Sequence, residues 1–108
     1  MIGVSAKRLT KEIVKYLSED IVRTLESLSE EERKVFEYFL INISVGELIC
    51  LRELRLYYKV NDPRRVLQEL VDKGILERGT GSYSLSKPLR DALLKYYSRT
   101  HHLVSSRS

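Results

Sequence analysis

The stretch from Asp62 to Leu85, DPRRVLQELVDKGILERGTGSYSL, reads as a helix, a tight stop and a hairpin. Asp62 caps a helix N-terminus through its side-chain oxygen, and Pro63 suits the first helical position, where a missing N–H costs nothing. Val66, Leu67, Leu70 and Val71 recur at helical spacing and give one apolar stripe, so this helix docks on a core. Gly74 stands where a left-handed residue ends a helix. Beyond it, Ile75-Leu76-Glu77-Arg78 and Tyr83-Ser84-Leu85-Ser86 flank the turn residues Gly79-Thr80-Gly81-Ser82, which predicts two short strands.

Working toward the N-terminus, Lys59-Val60-Asn61 turns the chain into that helix from a short one expected over Leu51 to Tyr58, where Leu51, Leu54 and Tyr58 fall at helical spacing. Before it, Ile43 to Cys50 contains Gly46 and then an apolar run, Leu48-Ile49-Cys50-Leu51, which reads as a loop and a brief strand. Ser29-Glu30-Glu31-Glu32 has the form of a capping box, and Val35, Phe36, Phe39 and Leu40 continue that helix to about Asn42. Leu9, Ile13, Leu17, Ile21 and Leu25, widened by Val14 and Val22, predict one long amphipathic helix over about Ser5 to Leu28. Ser18-Glu19-Asp20 would also suit the start of a second helix. The stripe has two outlets, its own domain or a second copy of the chain; the second makes a homodimer.

On the C-terminal side, Lys87-Pro88 starts another helix, with Asp91 in its positive first turn and Leu89, Leu93 and Tyr96 or Tyr97 facing inward. Ser98 to Ser108 carries no pattern and is expected to be mobile. The element order α-α-β-α-α-β-β-α describes one α+β, mostly α domain of 108 residues. No apolar run is long enough to span a bilayer and the start, MIGVSAKRLTKE, turns polar too soon for a signal peptide, so a cytoplasmic protein is expected. Depletion of labile residues, with one Met and one Cys, fits a thermophilic source.

Leu54, Tyr58 and Val60 before the capped helix, then Leu67-x-x-Leu70-x-x-x-Gly74-Ile75-Leu76, Gly79-x-Gly81 and Tyr83-x-Leu85, resemble the winged helix-turn-helix family of archaeal and bacterial DNA-binding proteins. The resemblance covers about residues 30–97. It implies a winged helix-turn-helix domain over 29–97, to which the apolar spacing adds an extra long N-terminal helix in 1–28 and the patternless end a flexible tail, 98–108, after the C-terminal helix. It implies further that Pro63 to Lys73 enters the major groove of duplex DNA while the hairpin, the wing, lies on adjacent backbone. Arg55 stands where that family usually has a small residue and Lys59 where it usually has glycine, which implies a looser turn between the two helices.

On that basis the candidate DNA-binding residues are Asn61, Arg64, Arg65 and Gln68 on the helix and Arg78, Thr80, Ser82 and Lys87 around the wing. The charge balance divides along the chain: residues 79–108 hold five Lys/Arg against one Asp, whereas 62–78 balance four against four. A basic wing and C-terminus favour phosphate, and the expected function is a small duplex-DNA-binding transcription regulator acting as a homodimer. The neutral reading helix supports the alternative, a winged-helix module that uses the same surface on a protein partner in a replication, transcription or cell-division assembly.

No chemistry-bearing set competes with these readings. Cys50 sits in an apolar run as a buried, inert thiol. Gly79-x-Gly81 lacks the lysine and strand of a phosphate-binding loop, and the adjacent His101 and His102 have no further ligands to join them on a metal. No catalytic residues, metal or cofactor are expected, and the chain reads as a non-enzyme.

Overall fold

A computed structural model describes residues 5–105, with side chains through Arg99. The N-terminal stripe does not form one helix. It divides into α1 (Ala6–Ile13), a short 3-10 turn (Val14–Tyr16) and α2 (Glu19–Glu26). Ser18 caps α2 by accepting the Ile21 N–H at 3.3 Å, as Ser5 caps α1 by accepting from Arg8. The reason lies in the period: a spacing of four drifts around a helix, so one unbroken helix would set Leu9 and Leu25 about 160° apart. The break returns both to the same core, where Leu9, Ile13, Leu25 and Leu28 are all buried. The buried part of the stripe is therefore used within the domain, where α1 packs on α3 and α6, and Leu17 and Ile21 pack against the same core half-buried.

Helix α3 (Glu30–Asn42) starts at the capping box expected from the sequence. The Ser29 Oγ accepts the Glu32 N–H at 3.1 Å and the Glu32 carboxylate accepts the Ser29 N–H at 2.9 Å. Its Val35, Phe36, Phe39 and Leu40 sit at the centre of the core, with Tyr38 edge-on to both Phe39 and Tyr58. The Tyr38 hydroxyl donates to Glu53 at 2.5 Å; burial and that carboxylate both push the phenol's pKa up. Ile43 ends α3 at φ 62°, a costly conformation for a β-branched residue. Its carbonyl accepts the Leu85 N–H, which fastens this corner to the sheet.

The sheet has three antiparallel strands in the order β1-β3-β2: β1 (Ser44–Gly46), β2 (Leu76–Gly79) and β3 (Ser82–Leu85). Val45 and Arg78 both pair with Tyr83, and Thr80-Gly81 makes the hairpin turn, with Gly81 at φ 71°. Between β1 and β2 lie α4 (Glu47–Leu56) and α5 (Pro63–Asp72). The brief strand expected within Ile43 to Cys50 is β1, which lies before the apolar run and not on it. The run Leu48 to Leu51 is helical instead, because Cys50 and Leu54, one turn apart, both reach the core.

Helix α5 is as the sequence dictates: Asp62 caps it, Pro63 begins it, and Gly74 follows its end at φ 79°. The turn from α4 to α5 is no looser for lacking glycine, since Lys59 itself takes φ 59° and the Val60 N–H closes on the Leu54 carbonyl at 3.1 Å. Helix α6 (Lys87–Ser105) closes the domain, and its backbone carries the helix on past Ser98 into the stretch expected to be an unpatterned tail. The result is the expected α+β, mostly helical architecture of winged-helix type.

One polar link crosses this core. Glu32 is buried and accepts the Lys73 ammonium at 2.8 and 2.9 Å, tying α3 to the end of α5. Burial alone would raise its pKa, but the Lys73 ammonium and the Ser29 N–H together hold it below the ordinary 4.5. Replacing Glu32 with glutamine should cost about 1.5–3 kcal/mol at neutral pH, the worth of hydrogen bonds to a charged group. With a depressed folded pKa, this contribution is present above the ordinary value and lost as pH falls through the folded one. Urea titrations from pH 7 to 3 should thus show the gap between wild type and variant closing in acid.

Candidate interaction surface

The eight residues expected to contact DNA do not form a free basic surface. Arg64, near the start of α5, donates to Glu47 Oε2 at 2.6 Å, and Arg78 on β2 approaches Glu47 Oε1 at 3.6 Å while stacking over Tyr83. Glu47, the first residue of α4, thus draws these two arginines together. Arg65 lies among three carboxylates: Glu69 at 2.7 Å, Glu31 at 3.2 Å and Asp62 at 3.8 Å. Gln68 donates to Asp72 at 2.9 Å. At the start of α6, Lys87 pairs with Asp91 at 2.8 Å, and its backbone N–H and Arg90 both donate to Glu77 on β2. Among the described residues only the neutral Asn61, Thr80 and Ser82 of the eight make no side-chain hydrogen bond or ion pair.

Exposed ion pairs are weak, each worth about 0–1 kcal/mol, so a phosphate could displace them. The carboxylates would remain. Glu31, Asp62, Glu69 and Asp72 stand on and around the outer face of α5 beside Arg64 and Arg65. The expectation of a basic wing fares similarly, because Arg78 and Lys87 both face acids.

A different face is open. On α4, Leu48, Ile49 and Leu56 are 79%, 56% and 53% exposed, and Tyr57 at its end is 73% exposed. Helical spacing sets Leu48, Arg52 and Leu56 one above the other, with Ile49 and Arg55 to either side. Arg52 and Arg55 are exposed and, among the described residues, have no carboxylate within ion-pair reach. Beside them opens a cleft of about 480 Å³ lined by Leu51, Arg52, Arg55, Leu56, Asp62 and Arg64. Sequence reading missed this face because it began the helix at Leu51, which left Leu48 and Ile49 outside it. Counting outward from Cys50 and Leu54 would have exposed it.

Two other candidates add no chemistry. Cys50 is wholly buried, and burial followed by the Glu47 and Glu53 carboxylates pushes its thiol up to about 11. Among the described residues no cluster of His, Cys, Asp or Glu is placed to hold a metal ion; the His101 and His102 side chains lie outside those described. Nor is any described helix long and apolar enough to cross a membrane.

No curated protein matches the chain. A family model does, over residues 29–91, which run from the capping box of α3 through α4, α5 and the hairpin into the first turns of α6 and so include both faces just described. With more than half of its length matched, the chain belongs to the family described as PolB1 Binding Protein 2.

Proposed function

We propose that this chain is a protein-binding module that docks on PolB1, the polymerase of its family's name, and serves a replication assembly rather than regulating transcription. The observation that carries this reading is the contrast between two helices of one winged-helix domain. The helix that would read bases, α5, has its cations occupied and its outer face crowded with carboxylates. The helix before it, α4, exposes large apolar side chains beside unpaired arginines, the composition of a protein interface core with its anchors. The neutral charge balance over 62–78 supports the same reading.

Duplex-DNA binding by the eight residues, with dimerisation through the N-terminal stripe, is the weaker reading. It requires several ion pairs to be exchanged for phosphates and a dimer surface whose Leu9, Ile13 and Leu25 are already buried in the core. The test is sedimentation velocity on the chain, purified PolB1 and their mixture. A faster-moving boundary containing both proteins at micromolar concentration is expected. Independent sedimentation at that concentration would refute the proposal.

A further inference from the structure

Resting on that reading, we infer that the exposed face of α4 and its adjoining cleft are where the polymerase docks, and that the segment received there carries acidic residues beside large apolar side chains. The apolar part follows from Leu48, Ile49, Leu56 and Tyr57, which stay exposed among the described residues. Single exposed leucines are ordinary, but Leu48, Ile49 and Leu56 fall within about 100° of one another around a ten-residue helix, with Tyr57 exposed at its end, an apolar face that hydration penalises until something covers it.

The acidic part follows from charge complementarity. Three guanidinium groups, Arg52, Arg55 and Arg64, line the cleft against the single carboxylate of Asp62. Asp62 is already engaged in capping α5 and in facing Arg65, and Arg64 is held by Glu47, so the uncompensated charge is that of Arg52 and Arg55. All three cations are arginine, whose planar fork takes a carboxylate in two parallel hydrogen bonds and sheds water more readily than an ammonium. Phosphate would satisfy the same forks. A DNA backbone, however, offers nothing to bury Leu48 and Leu56, one turn to either side of Arg52, whereas a polypeptide segment offers both carboxylate and apolar contact.

The position also suits a scaffold role. Glu47 at the head of α4 fastens this helix to α5 through Arg64 and approaches Arg78 of the wing strand, while Tyr38 holds Glu53 from below. The face is presented on a helix fixed at both its start and its middle, which lowers the ordering cost of binding.

The test uses the full chain and PolB1. Arg52→Glu with Arg55→Glu, and separately Leu48→Asp, should each weaken PolB1 binding by about tenfold or more, as anchors at an interface core do. Arg65→Ala with Gln68→Ala, on α5, should leave it unchanged. All of these side chains are exposed, so each variant should melt as the wild type does. A photo-crosslinking residue in place of Leu48 should capture a PolB1 peptide containing Asp or Glu. If wild type and α4 variants bind PolB1 equally, the α4 assignment is overturned while the protein-binding reading stands. If the crosslinked peptide lacks acidic residues, the charge argument is overturned. If the α4 variants instead lose affinity for a duplex DNA probe and not for PolB1, the face is a phosphate site and this inference fails. Absence of PolB1 binding by the wild type would remove both this inference and the reading beneath it.

Discussion

Truncating Ile13 to alanine should lower the free energy of unfolding by about 2–5 kcal/mol, and by the same amount at every protein concentration. Ile13 is fully buried between α1 and the rest of the core, and its removal leaves a cavity that neighbours on α3 and α6 cannot fully collapse into. A stripe that paired two copies would behave differently. Its unfolding midpoint would rise with concentration, because association adds to stability by mass action. Urea titrations at two widely separated concentrations distinguish the cases. A midpoint that moves with concentration would return the N-terminal helices to a dimer interface.

The second large effect is expected at Phe36. It has no exposed surface and lies in α3 alongside Phe39 and Val35, also fully buried. Phe36→Ala should cost about 3–5 kcal/mol, a large share of the roughly 5–15 kcal/mol that holds a domain of this size together. Thermal melts should therefore show a variant close to the limit of folding at ambient temperature. Phe36→Leu, which keeps most of the volume, should lose far less. If Phe36→Ala melts within a few degrees of wild type, the ring is not the centre of this core.

Much of this was legible in the residues themselves, where a local signal has a local cause. Asp62-Pro63, Gly74 and Thr80-Gly81 act within a few residues of their own positions, and each does what its chemistry requires. Ser29 and Glu32 likewise form their capping box. What was not legible depends on registers longer than one turn. The apolar positions from Leu9 to Leu25 fit a helix step by step, and the drift accumulated over the whole run, which no single spacing announces, decides for the break that Ser18-Glu19-Asp20 offered only as an alternative. Lys59 shows the reverse case, in which the fold imposes a left-handed conformation on a residue that does not ask for it.

The candidate site was harder still. Arg65 and Glu69 stand one turn apart in the sequence, but Arg65 to Glu31, Arg64 to Glu47 and Lys73 to Glu32 join residues distant in sequence. A charge count over 62–78 sees four cations and four acids without seeing that acids from α3 and α4 also reach that helix. Arg52 and Arg55 are left as the unpaired charges because, among the described residues, no such partner reaches α4's outer face.

The claim that this domain grips a protein rather than DNA is tested most directly by one parallel titration. The fluorescently labelled chain is titrated with PolB1 and, under identical conditions at ~0.15 M salt where exposed charges are largely screened beyond about 8 Å, with duplex DNA. Saturable binding to PolB1 is expected at micromolar concentration or tighter, with duplex DNA far weaker and lost as salt rises. Tight, saturable binding to the duplex with none to PolB1 would contradict it.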